Sequence, residues 1–165
     1  MKKIVLVLSM LIVFAKLHAQ VIALSKPSYS IKYPSDWRLE TSNNTTFTLG
    51  APSDGEGDPF VENIHFVSYP VTGYLPKDYA QYSKTTLPQK IKNFKVVEEK
   101  EVKQGGKTGY YMIFKGKQNN QALKWKQYYF IKNGMAYVLT FTAQEIMFND
   151  YIKKLSACLN SFTVK

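Results

Sequence analysis

The sequence predicts an α+β layered sandwich in which helices cover an antiparallel sheet, in the order β-β-β-α-β-β-β-β-α. Three observations support this prediction. Residues 29–33 alternate in side-chain character with period two, as a half-buried strand does, and residues 95–103 alternate loosely. Two other segments repeat apolar residues every three to four positions, as amphipathic helices do. Asn133-Gly134 separates two of the predicted strands and is a strong signal for a tight hairpin.

The first three predicted strands cover residues 29–33, 46–49 and 63–69. In the third, alternation places Ile64, Phe66 and Ser68 on one face and the remaining residues on the other. A loop rich in Gly and Pro separates the second strand from the third.

A helix is predicted to follow, because apolar residues recur at Leu75, Tyr79 and Tyr82. Pro76 suits its first turn, where a missing N–H has no cost. Pro88 should end it near residue 86, since the residue before a proline avoids the helical region.

Four predicted strands occupy the centre of the chain, at residues 95–103, 108–114, 123–132 and 135–141. Gly105-Gly106 marks a tight turn between the first two of them. A polar turn at residues 117–121 and the hairpin signal Asn133-Gly134 link the last three, which therefore form a meander. A final helix is predicted after them, with Thr142 and Glu145 as a capping box. Its apolar stripe continues to Phe162 and should dock on the sheet.

The N-terminus has the layout of a secretory signal. Lys2 and Lys3 precede a mostly apolar run, and a small residue, Ala19, precedes a plausible cleavage point. The run is shorter than the roughly 20 apolar residues that span a bilayer. We therefore predict a signal peptide at 1–19, a single domain at 20–165, and a secreted or periplasmic protein that does not span the membrane.

The net charge of +10 is concentrated in one block. Residues 90–132 hold eleven lysines against three glutamates, whereas residues 20–89 are slightly acidic. A local positive field favours anionic partners, and export argues against nucleic acid. The alternative is that the lysines only keep strand edges soluble. The candidate anionic-partner surface comprises Lys115, Lys117, Lys124, Lys126 and Lys132.

A resemblance to a known family extends over nearly all of residues 28–164. The segment from Tyr29 to Trp37 is an extended strand running into a Pro-x-x-Trp turn, and it resembles the opening of the PsbP-like superfamily. The strand that starts with Asn63-Ile64, the helix, the Gly-rich hairpin and the terminal helix ending in Ser161-Phe162 also match in outline.

The resemblance implies an α/β/α sandwich with a central antiparallel sheet. Its members include photosystem extrinsic subunits, bacterial envelope proteins of the DcrB type and a regulator of a small GTPase. Most of them bind or stabilise other proteins and are not enzymes, although a shared fold does not transfer function. We therefore expect a non-catalytic binding or accessory protein acting on a protein or an anionic envelope component.

Catalytic chemistry is poorly supported by the residues. His65 is the only histidine after the leader, and no second histidine or cysteine is present to complete a zinc site with it and Cys158. No Gly-x-Ser-x-Gly elbow occurs. The solitary cysteine is expected to be a buried apolar residue. We therefore expect neither an enzyme nor an organic cofactor.

One loop carries a candidate metal site. Asp54, Glu56 and Asp58 alternate with glycines, and Glu62 follows at a spacing that suits an additional ligand. Flexible oxygen-rich loops are what Ca²⁺ prefers, although Pro59 replaces the glycine that an EF-hand loop needs. The alternative function is therefore a small Ca²⁺-dependent module or enzyme using this loop. The simpler interpretation is a solvated acidic loop.

The meander is rich in tyrosine, at Tyr110, Tyr111, Tyr128, Tyr129 and Tyr137. Together with the neighbouring lysines they could form a face for carbohydrate or lipid head groups. The favoured interpretation is that the rings pack beneath the helices.

Overall fold

A computed structural model describes residues 20–165, and the predicted signal peptide lies outside the described residues. The strands are β1 Val21–Ser25, β2 Tyr29–Pro34, β3 Arg38–Ser42, β4 Thr46–Gly50, β5 Asn63–Pro70, β6 Lys92–Gln104, β7 Lys107–Gln118, β8 Gln121–Lys132, β9 Met135–Gln144 and β10 Thr163–Val164. The helices are α1 Pro76–Thr86, α2 Phe148–Lys154 and α3 Ser156–Ser161.

Two antiparallel sheets organise the described chain. Seven strands form the larger one, in the order β3-β4-β5-β9-β8-β7-β6, and β1-β2-β10 form the smaller one. The predicted meander is present as β7-β8-β9, with β6 at its outer edge. Asn133 and Gly134 both have positive φ angles, of 50° and 70°, as a two-residue hairpin turn requires.

The two faces of the large sheet bury two separate apolar clusters. On one face, Phe66 and Leu139 pack with the small sheet, α2 and α3. On the other, Met112 and Trp125 pack beneath α1. Successive residues of a strand point to opposite faces of the sheet, so Tyr111 packs in the first cluster and Tyr110 in the second. The predicted α+β fold and its α/β/α layering around a central antiparallel sheet are therefore confirmed.

All seven predicted strands and both helical regions are present, and three short strands were not predicted. β1 does not alternate in sequence, and β10 contains only two residues. β3 alternates weakly, with only Leu39 partly buried. β1 and β3 form hairpins with the strands that follow them, β2 and β4, and β10 pairs with the distant β2. Pairing with a partner strand stabilises all three, so the periodicity of their own residues could not reveal them.

The predicted start of the last helix is wrong. Thr142 lies inside β9, opposite Trp125 and Asn63, and the helix begins only at Phe148. Pairing on both sides of β9 overrides the local preference for a helix cap. The helical region is also interrupted at Leu155, which separates α2 from α3.

None of the helices within residues 20–165 combines the length and the apolar character needed to cross a bilayer.

Candidate functional site

Two charged clusters lie at the same end of the large sheet. β5 and β8 begin at this end, and β9 and β7 finish there. The first cluster is the acidic loop, defined here as residues 54–58 together with Glu62. The second is the lysine end, where β6 begins and the β7–β8 hairpin turns. Its members are Lys90, Lys92, Lys95, Lys115, Lys117 and Lys124.

The acidic loop brings three of its four predicted ligands together. Carboxylate oxygens of Asp54, Asp58 and Glu62 lie within 4.8 Å of one another. Glu56 is exposed on the same loop and is not part of this group. Glu62 is only 1% exposed, which is unusual for an acidic residue.

Donors within the protein already engage these carboxylates. The Tyr151 hydroxyl lies 3.0 Å from both carboxylate oxygens of Asp54. The Asp54 N–H donates to Asp58 Oδ2 at 3.1 Å, and the Gln144 N–H donates to Glu62 Oε1 at 3.2 Å. The loop is therefore tied to β9 and α2 by its own hydrogen bonds.

Glu62 is nevertheless electrostatically unfavourable as an anion. Burial raises the pKa of its carboxyl, and the negative charges of Asp54 and Asp58 raise it further, while the hydrogen bond from Gln144 acts in the opposite direction. Either a proton or a cation would relieve this repulsion, so the three carboxylates can hold a hard metal ion.

The lysine end contains directly opposed like charges. Lys95 on β6 pairs with Lys115 on β7, and Lys115 pairs in turn with Lys124 on β8. In a second row, Lys92 pairs with Lys117. Directly paired residues point to the same face, and like charges at such positions destabilise a sheet. Five lysines are therefore held side by side on one surface.

Few acidic groups offset these charges. Lys115 Nζ lies 2.6 Å from Glu145 Oε1, and the side chains of both residues are more than one-third exposed. Lys124 Nζ lies 4.6 Å from the centre of the Phe148 ring, a cation–π contact. Lys92, Lys95 and Lys117 form no ion pair with any acidic residue between positions 20 and 165.

A cavity of about 350 Å³ adjoins the second lysine row. It is lined by Lys90, Lys92, Lys117, Gln118, Asn119 and Asn120. Its lining therefore contains three ammonium groups and three amides, all of which can donate hydrogen bonds, and no carboxylate.

The structure separates the five lysines that the sequence grouped. Lys115, Lys117 and Lys124 belong to the lysine end. Lys126 lies further along β8, where its Nζ is 4.4 Å from the Tyr111 ring centre, and burial lowers the pKa of its ammonium group. Lys132 lies at the opposite end of β8, opposite Met135. Sequence reasoning missed Lys90, Lys92 and Lys95, because only the register of β6 shows which lysines they join.

The meander tyrosines pack inside the protein. Tyr110, Tyr111, Tyr128, Tyr129 and Tyr137 are all buried. The packing interpretation is therefore confirmed, and these rings do not form an exposed binding face.

His65 and Cys158 have no catalytic partner among the described residues. His65 Nδ1 lies 3.1 Å from Thr48 Oγ1 on the neighbouring strand, and partial burial lowers the pKa of its imidazole. No carboxylate hydrogen-bonds to it within residues 20–165. Cys158 is buried, which confirms the expectation from the sequence, and burial raises the pKa of its thiol to about 12. This thiol is therefore protonated at neutral pH.

Comparison with known proteins identifies the fold. No protein-family model and no curated protein matches the sequence. Among solved structures, the chain is similar to cyanobacterial PsbP from Synechocystis, with a TM-score of 0.60 and 14% identity over 92% of this chain and 96% of that one.

Two further structures are similar over most of their length. LpqN of Mycobacterium tuberculosis, described as involved in cell envelope biogenesis, has a TM-score of 0.57 and 14% identity, covering 88% of this chain and 91% of its own. The Saccharomyces cerevisiae Ran-binding protein Mog1p has a TM-score of 0.62 and 11% identity, covering 89% and 96%. The chain therefore has the PsbP-like fold, and at these identities the likeness extends to the fold alone.

Proposed function

We propose that this protein is an exported, non-catalytic binding or accessory protein that acts through its surface on a protein or anionic envelope partner. The observation that carries the proposal is the lysine end, where like charges are held together and Glu145 is the one acidic residue within 20–165 that forms an ion pair with them. Surfaces that concentrate one sign of charge attract partners of the opposite sign and accelerate their association.

The fold comparisons support a binding role. Mog1p is described as binding Ran, and LpqN as taking part in envelope biogenesis. The environments of His65 and Cys158 favour a role without catalysis, since neither side chain contacts a general base or a carboxylate in the described part of the chain.

Export is tested directly by the fate of the leader. We expect the protein recovered from outside the cytoplasm to lack residues 1–19, which intact-mass measurement detects. Recovery of the full-length chain in the cytosol, with Met1 still attached or only that residue removed, would contradict the export part of the proposal.

Partner binding is tested by sedimentation with the envelope fraction of the source cells over a salt series. Exported protein should co-sediment at low salt and be released as ionic strength rises, because screening shortens the range of its lysines. A triple variant, Lys95→Gln, Lys115→Gln and Lys117→Gln, should lose most of this binding. The matched control removes the same charge elsewhere, by Lys103→Gln, Lys107→Gln and Lys132→Gln. Equal losses in the two triple variants would contradict a role for the lysine end.

A second candidate function is a Ca²⁺-dependent module built on the acidic loop. It is favoured by the convergence of Asp54, Asp58 and Glu62 around one point, with Glu62 buried. Ligands that bind only the folded state raise the melting temperature in proportion to the logarithm of their concentration. Millimolar Ca²⁺ should therefore raise Tm in the natural protein but not in Asp58→Asn. An unchanged Tm in the natural protein would rule out this candidate.

A further inference from the structure

We propose that the lysine end binds a compact ligand that carries two or more phosphate groups within about 10 Å. This inference rests on the proposed function, since it names the chemistry of the partner that the same surface recognises. Its basis is the juxtaposition of two opposed lysine rows, across β6, β7 and β8, with a cavity that no acidic side chain lines.

Solubility of the edge strand β6 does not require lysines alone. The far half of the same edge strand is also highly charged, but its signs are mixed, with Glu98, Glu99 and Glu101 beside Lys100 and Lys103. There the acidic groups find partners: Glu99 forms an ion pair with Lys84 on α1, and Glu98 accepts a hydrogen bond from Tyr111. Charged side chains of mixed sign already protect this half of the edge strand. The all-lysine half therefore needs a different explanation.

The spacing of the lysines suits a small ligand. Neighbouring strands lie about 4.8 Å apart, so the row from Lys95 through Lys115 to Lys124 extends over about 10 Å. Lys115 and Lys117 are two residues apart on one strand, about 7 Å. Long, flexible lysine side chains at these spacings can contact several anionic groups of one small ligand at the same time.

The types of side chain at the lysine end favour phosphate over carboxylate as the ligand group. Arg38 is the only arginine in the described chain, and it pairs with Glu40 away from this site. The arginine fork binds carboxylate and phosphate alike in a bidentate geometry, whereas lysine acts as a point charge and is a common phosphate ligand without that fixed geometry. The side-chain amides of Gln118, Asn119 and Asn120 supply further donors at the rim of the cavity.

Glu145 forms an ion pair with Lys115, the central lysine of the longer row. Because both side chains of the Lys115–Glu145 pair are partly exposed, a bound phosphate can displace this carboxylate at small cost. Glu145 therefore acts as an internal competitor, and removing its charge should tighten ligand binding.

Calorimetric titration of the exported protein tests the inference, with sodium tripolyphosphate, inorganic phosphate and citrate as probes at matched ionic strength. Tripolyphosphate should bind at least tenfold more tightly than inorganic phosphate or citrate. The double variant Lys95→Gln, Lys117→Gln should weaken it at least tenfold. The control Lys103→Gln, Lys107→Gln should change it less than twofold, and Glu145→Gln should tighten it two- to fivefold. Thermal melting of each variant checks that it is folded.

A vesicle arm distinguishes two sources of the same chemistry. Sedimentation with vesicles of cardiolipin, whose head group carries two phosphates, that is reversed by tripolyphosphate would support a lipid phosphate as the ligand. Binding of tripolyphosphate without vesicle binding would support a soluble phosphorylated ligand. Absence of tripolyphosphate binding, or equal weakening in the control variant, would overturn the inference.

The outcomes also separate this inference from the proposed function. Salt-sensitive envelope binding without tripolyphosphate binding would overturn the phosphate site and leave the proposed function intact. Tripolyphosphate binding at the lysine end without envelope binding would overturn the proposed function and leave the phosphate site intact.

Discussion

The acidic loop and the lysine end each concentrate one sign of charge, but the carboxylates lie close together in the sequence, whereas the lysines come from positions 90 to 124. The two clusters also differ in the partners that their charges find. Carboxylates of the acidic loop accept hydrogen bonds from Tyr151, from Gln144 and from the loop's own backbone. Most members of the lysine end have no acidic partner between residues 20 and 165. Within each of the two rows, lysines on neighbouring strands lie directly opposite and repel each other. A cluster of like charges can therefore be stabilised by partners within the protein or remain available to bind another molecule.

The difference has a physical origin in the surroundings of each cluster. The acidic loop folds back onto β9 and α2, whose buried donors need acceptors. The lysine end lies on the outermost strands of the sheet, where β6 has no further neighbour in the described chain. The comparison predicts that changes in the acidic loop alter stability, whereas changes in the lysine end alter binding.

The largest effect on stability is expected from Tyr151→Phe, which removes the hydroxyl that donates to Asp54 and leaves the ring in place. A hydrogen bond to a charged group stabilises a protein by about 1.5–3 kcal/mol, and the exposure of Asp54 favours the low end of that range. We expect Tm to fall by about 3–6 °C. Calorimetric melting at neutral pH measures this change.

The matched control is Tyr33→Phe, at a buried tyrosine whose hydroxyl bonds to no other residue in 20–165. Its Tm should change by less than half as much. Similar shifts in the two variants would show that the acidic loop is not tied down by Tyr151, and would remove one side of the comparison.

A smaller effect of opposite sign is expected from Glu62→Gln. The folded-state pKa of Glu62 lies above its value in the unfolded chain, so its contribution to stability is full below the unfolded value of about 4.5 and falls as pH rises through the folded pKa. The neutral amide keeps an acceptor for the Gln144 N–H. At pH 7 the variant should therefore melt about 2–4 °C higher than the natural protein.

The pH dependence provides the check on this prediction. The difference in Tm between Glu62→Gln and the natural protein should shrink as pH is lowered towards 4. A variant that is less stable at pH 7 would mean that the carboxylate of Glu62 is already stabilised, by a cation for example.

The smallest effect is expected from Lys117→Gln, which relieves the repulsion from Lys92. Like charges directly opposite on two strands cost a few tenths of a kcal/mol, and salt screens this cost. Urea denaturation at low salt should show the variant more stable by about 0.5 kcal/mol, and the gain should vanish at 1 M salt. The same substitution at Lys107, opposite Gln104, should show no such gain.

Much of the fold could be predicted from local patterns. Alternation correctly placed Ile64 and Phe66 on the same face of β5, which the structure shows to be buried, and Asn133-Gly134 correctly located a hairpin. The capping box at Thr142 was wrong, because cross-strand pairing extended β9 through that residue. Local preferences decide structure only where no long-range pairing competes with them.

The candidate sites were predictable in composition and not in geometry. The sequence identified Asp54, Asp58 and Glu62 as acidic neighbours, but the burial of Glu62 depends on the packing of a distant strand. It also identified Lys132 as part of a cationic surface, whereas the structure puts this residue at the opposite end of β8 from Lys124.

The sequence alone determined the alternation of strands, the amphipathic helices and the concentration of lysine in one block, because each depends on residues that are close in the chain. Only the tertiary structure decided which charges meet. Antiparallel register brings Lys95, Lys115 and Lys124 into one row although they lie far apart in sequence. A shift of one strand by one residue would turn every lysine of that strand to the other face, so pairing, and not composition, creates the lysine end.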